Sequence, residues 1–186
     1  MKKIVAGLLL AGSVLFAGTY EVDASHSKVG FKIKHLSISN VYGTFDKFDA
    51  NIQYDEKTKE LKVLKSTVEA NSINTQDEKR DAHLKQADFF DTKKFPKISF
   101  ELVEIKDDTM IANLTIKGIT KKVEFDYENN GVVKDPWGNT KLGFSLETKI
   151  KRSDFGLKTK SLLESGGLLI GEKVKITADI EAKLLK

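Results

Sequence analysis

Three histidines, His26, His35 and His83, are the side chains of this chain whose ordinary protonation changes near neutral pH, and no cysteine accompanies them. Without thiols, disulfides, thiolate metal sites, thioether haem attachment and a cysteine nucleophile are all excluded. His26 and His35 close the two ends of one strand-like run, which separates them by roughly 30 Å at a strand rise of about 3.3 Å per residue. One metal ion cannot use both, and no metal site is expected. His83 lies in "RDAHL", and with Ser27 or Ser153 as nucleophile and Asp81 or Asp154 as the orienting acid it sketches a nucleophilic triad. The sketch has little content, because serine and aspartate are common here and no G-x-S-x-G elbow is present. Paired carboxylates for glycoside cleavage are equally unspecific. "GGLLIG", Gly166 to Gly171, lacks the lysine and hydroxyl of a phosphate loop, and "NLT", Asn113 to Thr115, falls inside a strand pattern rather than a loop. The residues therefore point away from catalysis and from any cofactor.

The elements that hold these residues are strands. In "SHSKVGFKIKH" the apolar Val29, Phe31 and Ile33 share one parity with His35, while Lys28, Gly30, Lys32 and Lys34 share the other, which is the period of a half-buried strand. The same alternation recurs through Phe48 to Tyr54, Ile98 to Leu102, Met110 to Ile116, Val123 to Tyr127, Leu142 to Ile150 and Val174 to Leu184. Parity switches near Gly43 to Lys47 and between Val63 and Leu64 predict bulges or bends. "DPWGN", Asp135 to Asn139, reads as a turn. "TQDEKRDAHLKQADFFD" departs from the pattern and predicts a helix of about three turns capped by Thr75, and "RSDFGLKTKSLLESGGLLIG" is a long irregular connection. This arrangement predicts an all-β antiparallel barrel of eight or slightly more strands with one inserted helix. A two-layer sandwich gives the same alternation, and the long, bulged strands favour closure.

"MKKIVAGLLLAGSVLFAG" has the basic start, apolar run and small-residue end of a secretory signal, with cleavage expected after Ala17. The expectation is a signal peptide over 1–17 and one domain over 18–186, exported, most simply to a bacterial periplasm, without a stable membrane anchor. Losing Lys2 and Lys3 lowers the net charge of +4 by two, and the remaining lysines alternate with acids along the chain. No basic stripe is expected, and nucleic acid is not a predicted partner.

Many phenylalanines fall on inward parities beside small residues such as Ala50, Ala112 and Ala178. In a small barrel such faces either fill the interior or line a space for one ligand. Phe89 and Phe90, close to Arg80 and His83, fit either a helix tucked onto the core or a lid whose charges stand at a rim; "RSDFG", with Asp154 and Phe155, allows the same two readings.

The segments "YEVDASHSKVGFKIKH", "GTF", "SINTQDEKRDAHLKQADFFDTKKFPKISF", "LTIKGITKKVEF", "DPWGN", "RSDFG" and "LIGEKVKI" occur in an order that resembles the YceI-like family of polyisoprenoid-binding proteins. Ala24 stands where proline is common, and Ala112 and Asn113 where a Gly-Asp turn is expected. The resemblance implies a lipocalin-like barrel with a helix over one side or end, a tunnel for a long isoprenoid or fatty chain, a usually periplasmic location and frequent homodimers. It implies that Val29, Phe31, Ile33, Phe89, Phe90, Phe100, Leu114, Ile116, Phe125, Phe144, Leu146, Phe155 and Ile176 contact the tail, with His35 at an end of that face. Arg80, His83 and Asp154 are the expected polar mouth. The expected function is a periplasmic carrier of a quinone, prenyl phosphate or similar amphiphile. An enzyme acting on such a lipid, or an interaction or stress-response module with a filled barrel, are the alternatives.

Overall fold

The structure, a computed structural model, describes residues 17–158 and 169–185. Residues 1–16 of the predicted 1–17 signal segment, and residues 166–168 of the Gly166–Gly171 stretch, lie outside the described residues. Among the described residues the strands are β1 (Gly18–Val22), β2 (Lys28–His35), β3 (Ser39–Phe45), β4 (Phe48–Asp55), β5 (Glu60–Glu69), β6 (Ile73–Asn74), β7 (Lys97–Lys106), β8 (Thr109–Ile116), β9 (Ile119–Lys134), β10 (Thr140–Lys151) and β11 (Ile170–Leu184), with one α-helix, α1 (Glu78–Leu84). All described pairings are antiparallel. β1, β4, β5, β7, β8, β9, β10 and β11 follow one another around a closed eight-stranded barrel, because β1 pairs with β11 on one side and β4 on the other. Closure satisfies the edges that such long strands would otherwise expose.

The remaining strands arise from two interruptions. β1 and β2 share the same flank of β11, Val22 against Ala182 and Lys28 against Asp179, and the intervening Asp23–Ser27 form a jog. β3 and β4 part in the same way at Asp46 and Lys47, inside the predicted bend. β3 stays beside β2 and takes up the short β6, while β4 joins β1 and β5. The sheet therefore forks, and α1 with the residues after it lies beside β6 at the fork. The parity switch in β5 is a bulge, since the register against β4 slips between Gln53 and Tyr54.

The helix is shorter than predicted and starts later. Asp77, not Thr75, caps it, its side chain accepting the Arg80 N–H at 3.0 Å, and only Glu78–Leu84 are helical. Thr75 is buried and serves as a latch instead: its N–H and hydroxyl donate to Asp81 Oδ1 at 2.9 and 2.6 Å. Its hydroxyl and carbonyl oxygens accept from Arg80 Nε and Nη2 at 2.7 and 2.8 Å. Gly43 is required beside this latch, because a Cβ there would collide with the Phe31 ring and the Thr75 methyl. Beyond the helix, Lys117 Nζ donates to Ala87 O at 2.8 Å, and Phe95 packs over Gly118, whose φ of +74° favours glycine.

Toward the β9–β10 turn the barrel is solid. Tyr20, Ile52, Tyr54, Met110, Leu142 and Ala182 are almost wholly buried there, and Tyr20 and Tyr54 meet edge to face at 6.3 Å. The buried hydroxyls have partners: Tyr20 donates to Glu56 at 2.9 Å, and Asn129 Nδ2 donates to Tyr54 Oη at 3.1 Å. Burial pushes the neighbouring Tyr127 phenol up to about 12, so it stays neutral.

Candidate ligand cavity

The other half is hollow. Toward the β2–β3 turn, β2, β10 and β11 carry their inward apolar faces past the solid core, and α1 with the loop through Phe90 covers the fork. They enclose a cavity of about 630 Å³, within the range usual for small-molecule sites. Phe31, Ile33, Ile150, Val174, Ile176 and Ala178 face it from the β2–β11–β10 wall, and Phe100, Leu114, Ile116 and Phe125 from β7, β8 and β9. Phe144 and Leu146 mark its boundary with the solid half. The lid contributes Leu84, Phe89 and Phe90. Phe45 ties lid to wall, with ring centroids 5.8 Å from Phe90 and 6.0 Å from Phe31. Alanines 50 and 178 share this lining, so small side chains open space between aromatic ones, while Ala112 is sealed in the core.

Polar groups lie at the margins. Arg80 and His83, both expected at a mouth, line the cavity from α1 beside Asp77 and Lys79. His83 Nε2 is 3.0 Å from Asp88, and its ring meets Phe89 edge to face at 4.9 Å. His35, at the end of β2, lies opposite Ile170 at the other margin. The sketched triad does not assemble: Ser27 bonds the Glu181 main chain, His83 the Asp88 side chain, and Asp81 the Thr75 latch.

Two expected residues do not line the cavity. Phe155 is buried in the core, and Asp154 is exposed. The reason is local: Arg152–Phe155 form a 3-10 turn closed by Gly156 at φ +70°, which brings Arg152 rather than Asp154 to the cavity wall. Arg152 is only 4% exposed. It donates through Nε to Gly171 O at 2.9 Å and through Nη1 to Leu157 O at 2.7 Å, clasping the turn to the start of β11. Burial opposes ionisation of Glu172, but the Ser153 hydrogen bonds and the Arg152 charge outweigh it and hold its carboxyl below the usual range. Nothing in the alternating pattern marked Arg152, whereas Val174 and Ile150 share the parity of residues already expected, and Phe45 was hidden by the parity switch before β4.

Asp23, His26 and Glu181 place ligand atoms within 4.8 Å of one another at the jog, a grouping that a search among the histidines alone misses. Lys141 already sits between the two acids, 2.7 Å from Asp23 and 2.8 Å from Glu181. Its hydrogen bond, with those of Ser25 and His26, holds the Asp23 carboxyl far below the ordinary range, and Asp23 in turn raises Lys141. The cluster is a salt-bridged clamp.

The profile of the YceI-like domain matches residues 20–182. The chain belongs to that family. A UPF0312 protein of Staphylococcus aureus strain N315 is 40% identical to this YceI-like chain over 163 residues, covering 87% of the chain and 95% of that protein. The Campylobacter jejuni YCEI protein, solved in a crystal form with large solvent channels, is 36% identical with a TM-score of 0.70, and each chain is fully covered. A polyisoprenoid-binding domain from Saccharophagus degradans, implicated in plant cell wall breakdown, shares the fold at 14% identity and a TM-score of 0.66, covering 90% of this chain and 99% of its own.

Proposed function

We propose that this protein is a periplasmic carrier for a long-chain isoprenoid-type lipid, held in the hollow half of the barrel. The observation that carries the reading is the 630 Å³ cavity with an almost continuous apolar lining. At about 30 Å³ per water-sized unit it accommodates on the order of 20 heavy atoms. Ten buried methylenes supply about 8 kcal/mol gross, near micromolar affinity before ordering costs. Membership of a family with a polyisoprenoid-binding fold neighbour points the same way. The lining is chemically unselective, so selectivity falls to cavity length and to the polar margins at Arg80, His83 and His35. The role is binding rather than catalysis, and neither a cofactor nor a metal is assigned.

The test is a chain-length series of prenols titrated into delipidated protein. Affinity should rise with each added isoprene unit and flatten once the cavity is full, near 20 carbons. Affinity independent of length, or no uptake, would sink the carrier reading.

A further inference from the structure

Outside the hollow half, strand register gathers charge that the linear sequence spreads out. Phe31 and Ile33, Val174 and Ile176, and Ile150 point into the cavity, so their neighbours point outward. Lys151 stands directly opposite Lys173, and Lys149 opposite Lys175. Lys175 is in turn opposite Lys32, and Lys32 opposite Tyr42. Lys34 follows Lys32 on the same face of β2. Six lysines thus share one outer face across β10, β11 and β2, contrary to the expectation of no basic stripe. Of these six, only Lys175 has a carboxylate partner among the described residues, Glu147 at 2.5 Å; Glu172 is turned toward Ser153 and Arg152. Like charges opposite one another destabilise a ladder, so packing does not account for the arrangement.

The basic face is bordered by exposed apolar groups. Tyr42, 64% exposed, continues the lysine row, and Ile38, 82% exposed, stands at the β2–β3 turn. An amphipathic ring and an aliphatic tip beside a field of lysines match the interface of an anionic bilayer, where tyrosine settles at headgroup depth and basic groups meet lipid phosphates. The same end of the molecule carries the cavity margin at His35, Leu169 and Ile170.

We propose that the outer face of β10, β11 and β2, with the β2–β3 turn, docks this protein on an anionic lipid bilayer and sets the cavity margin beside the membrane. The inference deepens the carrier reading and rests on it for its purpose. Each lysine near an anionic surface is worth roughly a fivefold change in affinity.

The test is cosedimentation with phosphatidylglycerol–phosphatidylcholine vesicles, using protein expressed from the full sequence with its N-terminus established by mass spectrometry. Wild type should bind the anionic vesicles, ignore pure phosphatidylcholine and dissociate at about 1 M salt, where the screening length falls to about 3 Å. K149Q/K151Q/K173Q should bind on the order of 100-fold more weakly with an unchanged circular dichroism spectrum. Ile38→Ser/Tyr42→Ser should weaken binding without altering its salt dependence. No binding to anionic vesicles, binding indifferent to headgroup charge, or equal binding by the lysine variant overturns the proposal. Salt-dependent capture of polyglutamate in place of vesicles also overturns it and gives the face to an acidic protein partner. Lipid extracted from the same samples separates the two readings: vesicle binding by a chain that takes up no lipid supports the docking face while removing the carrier, and a lipid-filled chain that ignores vesicles does the reverse.

Discussion

The two halves of the barrel are built from the same strands and the same alternation, yet one is solid and the other hollow. In the solid half, four ring-bearing side chains, Tyr20, Tyr54, Tyr127 and Phe144, converge with Ile52, Met110 and Leu142, and the Tyr20 and Tyr54 hydroxyls reach partners at the barrel end. In the hollow half the corresponding inward positions are Phe31, Ile33, Val174, Ile176 and Ala178, and the fork removes β4 from the wall beside β2, where α1 and the lid loop stand in its place. An inward apolar face is thus necessary for a core without being sufficient. Whether it fills depends on how many neighbouring strands bring side chains to the same level.

Truncation should therefore cost very different amounts in the two halves. Ile52→Ala and Met110→Ala remove fully packed side chains and should destabilise by about 2–5 kcal/mol in urea unfolding. Lys141→Met, at the jog between β1 and β2, should cost about 1–3 kcal/mol by stripping Asp23 and Glu181 of their partner. Asp23 is depressed in the folded state, so its contribution is complete above its unfolded value near pH 4. It fades as pH falls toward the folded value, and the wild-type advantage over Lys141→Met should shrink in acid. Thr75→Val releases the latch on α1; about 1 kcal/mol of stability should go, with faster hydrogen exchange confined to residues 78–90. Ile176→Ala, facing empty space, should cost least, under about 1 kcal/mol in lipid-free protein, and more once lipid is bound. Equal losses for Ile52→Ala and Ile176→Ala in lipid-free protein would abolish the distinction between the halves.

Period-two patterning made the strands and most inward residues legible, because parity depends only on neighbours along one chain. The DPWGN turn was equally plain: Asp135 accepts from Trp137 and Asn139 N–H groups, and Gly138 takes φ +83°. Features that depend on several strands at once were not legible. The fork at Asp46 and Lys47 showed only as a parity switch, the lysine rows exist only in register, and Arg152 reaches the cavity by a 3-10 turn whose sequence placed Asp154 and Phe155 there instead. Thr75 was expected at a helix start for its hydroxyl, and that hydroxyl serves the latch because Asp77, two residues on, is the better-placed cap.

The most direct test of the hollow half is mass spectrometry of an organic extract from detergent-free protein, wild type beside Ala50→Phe/Ala178→Phe, which fills the cavity from its two small lining residues. The account predicts a stoichiometric long-chain lipid in the wild type and its loss from the variant, which should remain folded and gain stability in lipid-free form. A wild type that carries no lipid and takes up none when it is supplied, or a variant that retains the same lipid, would contradict it.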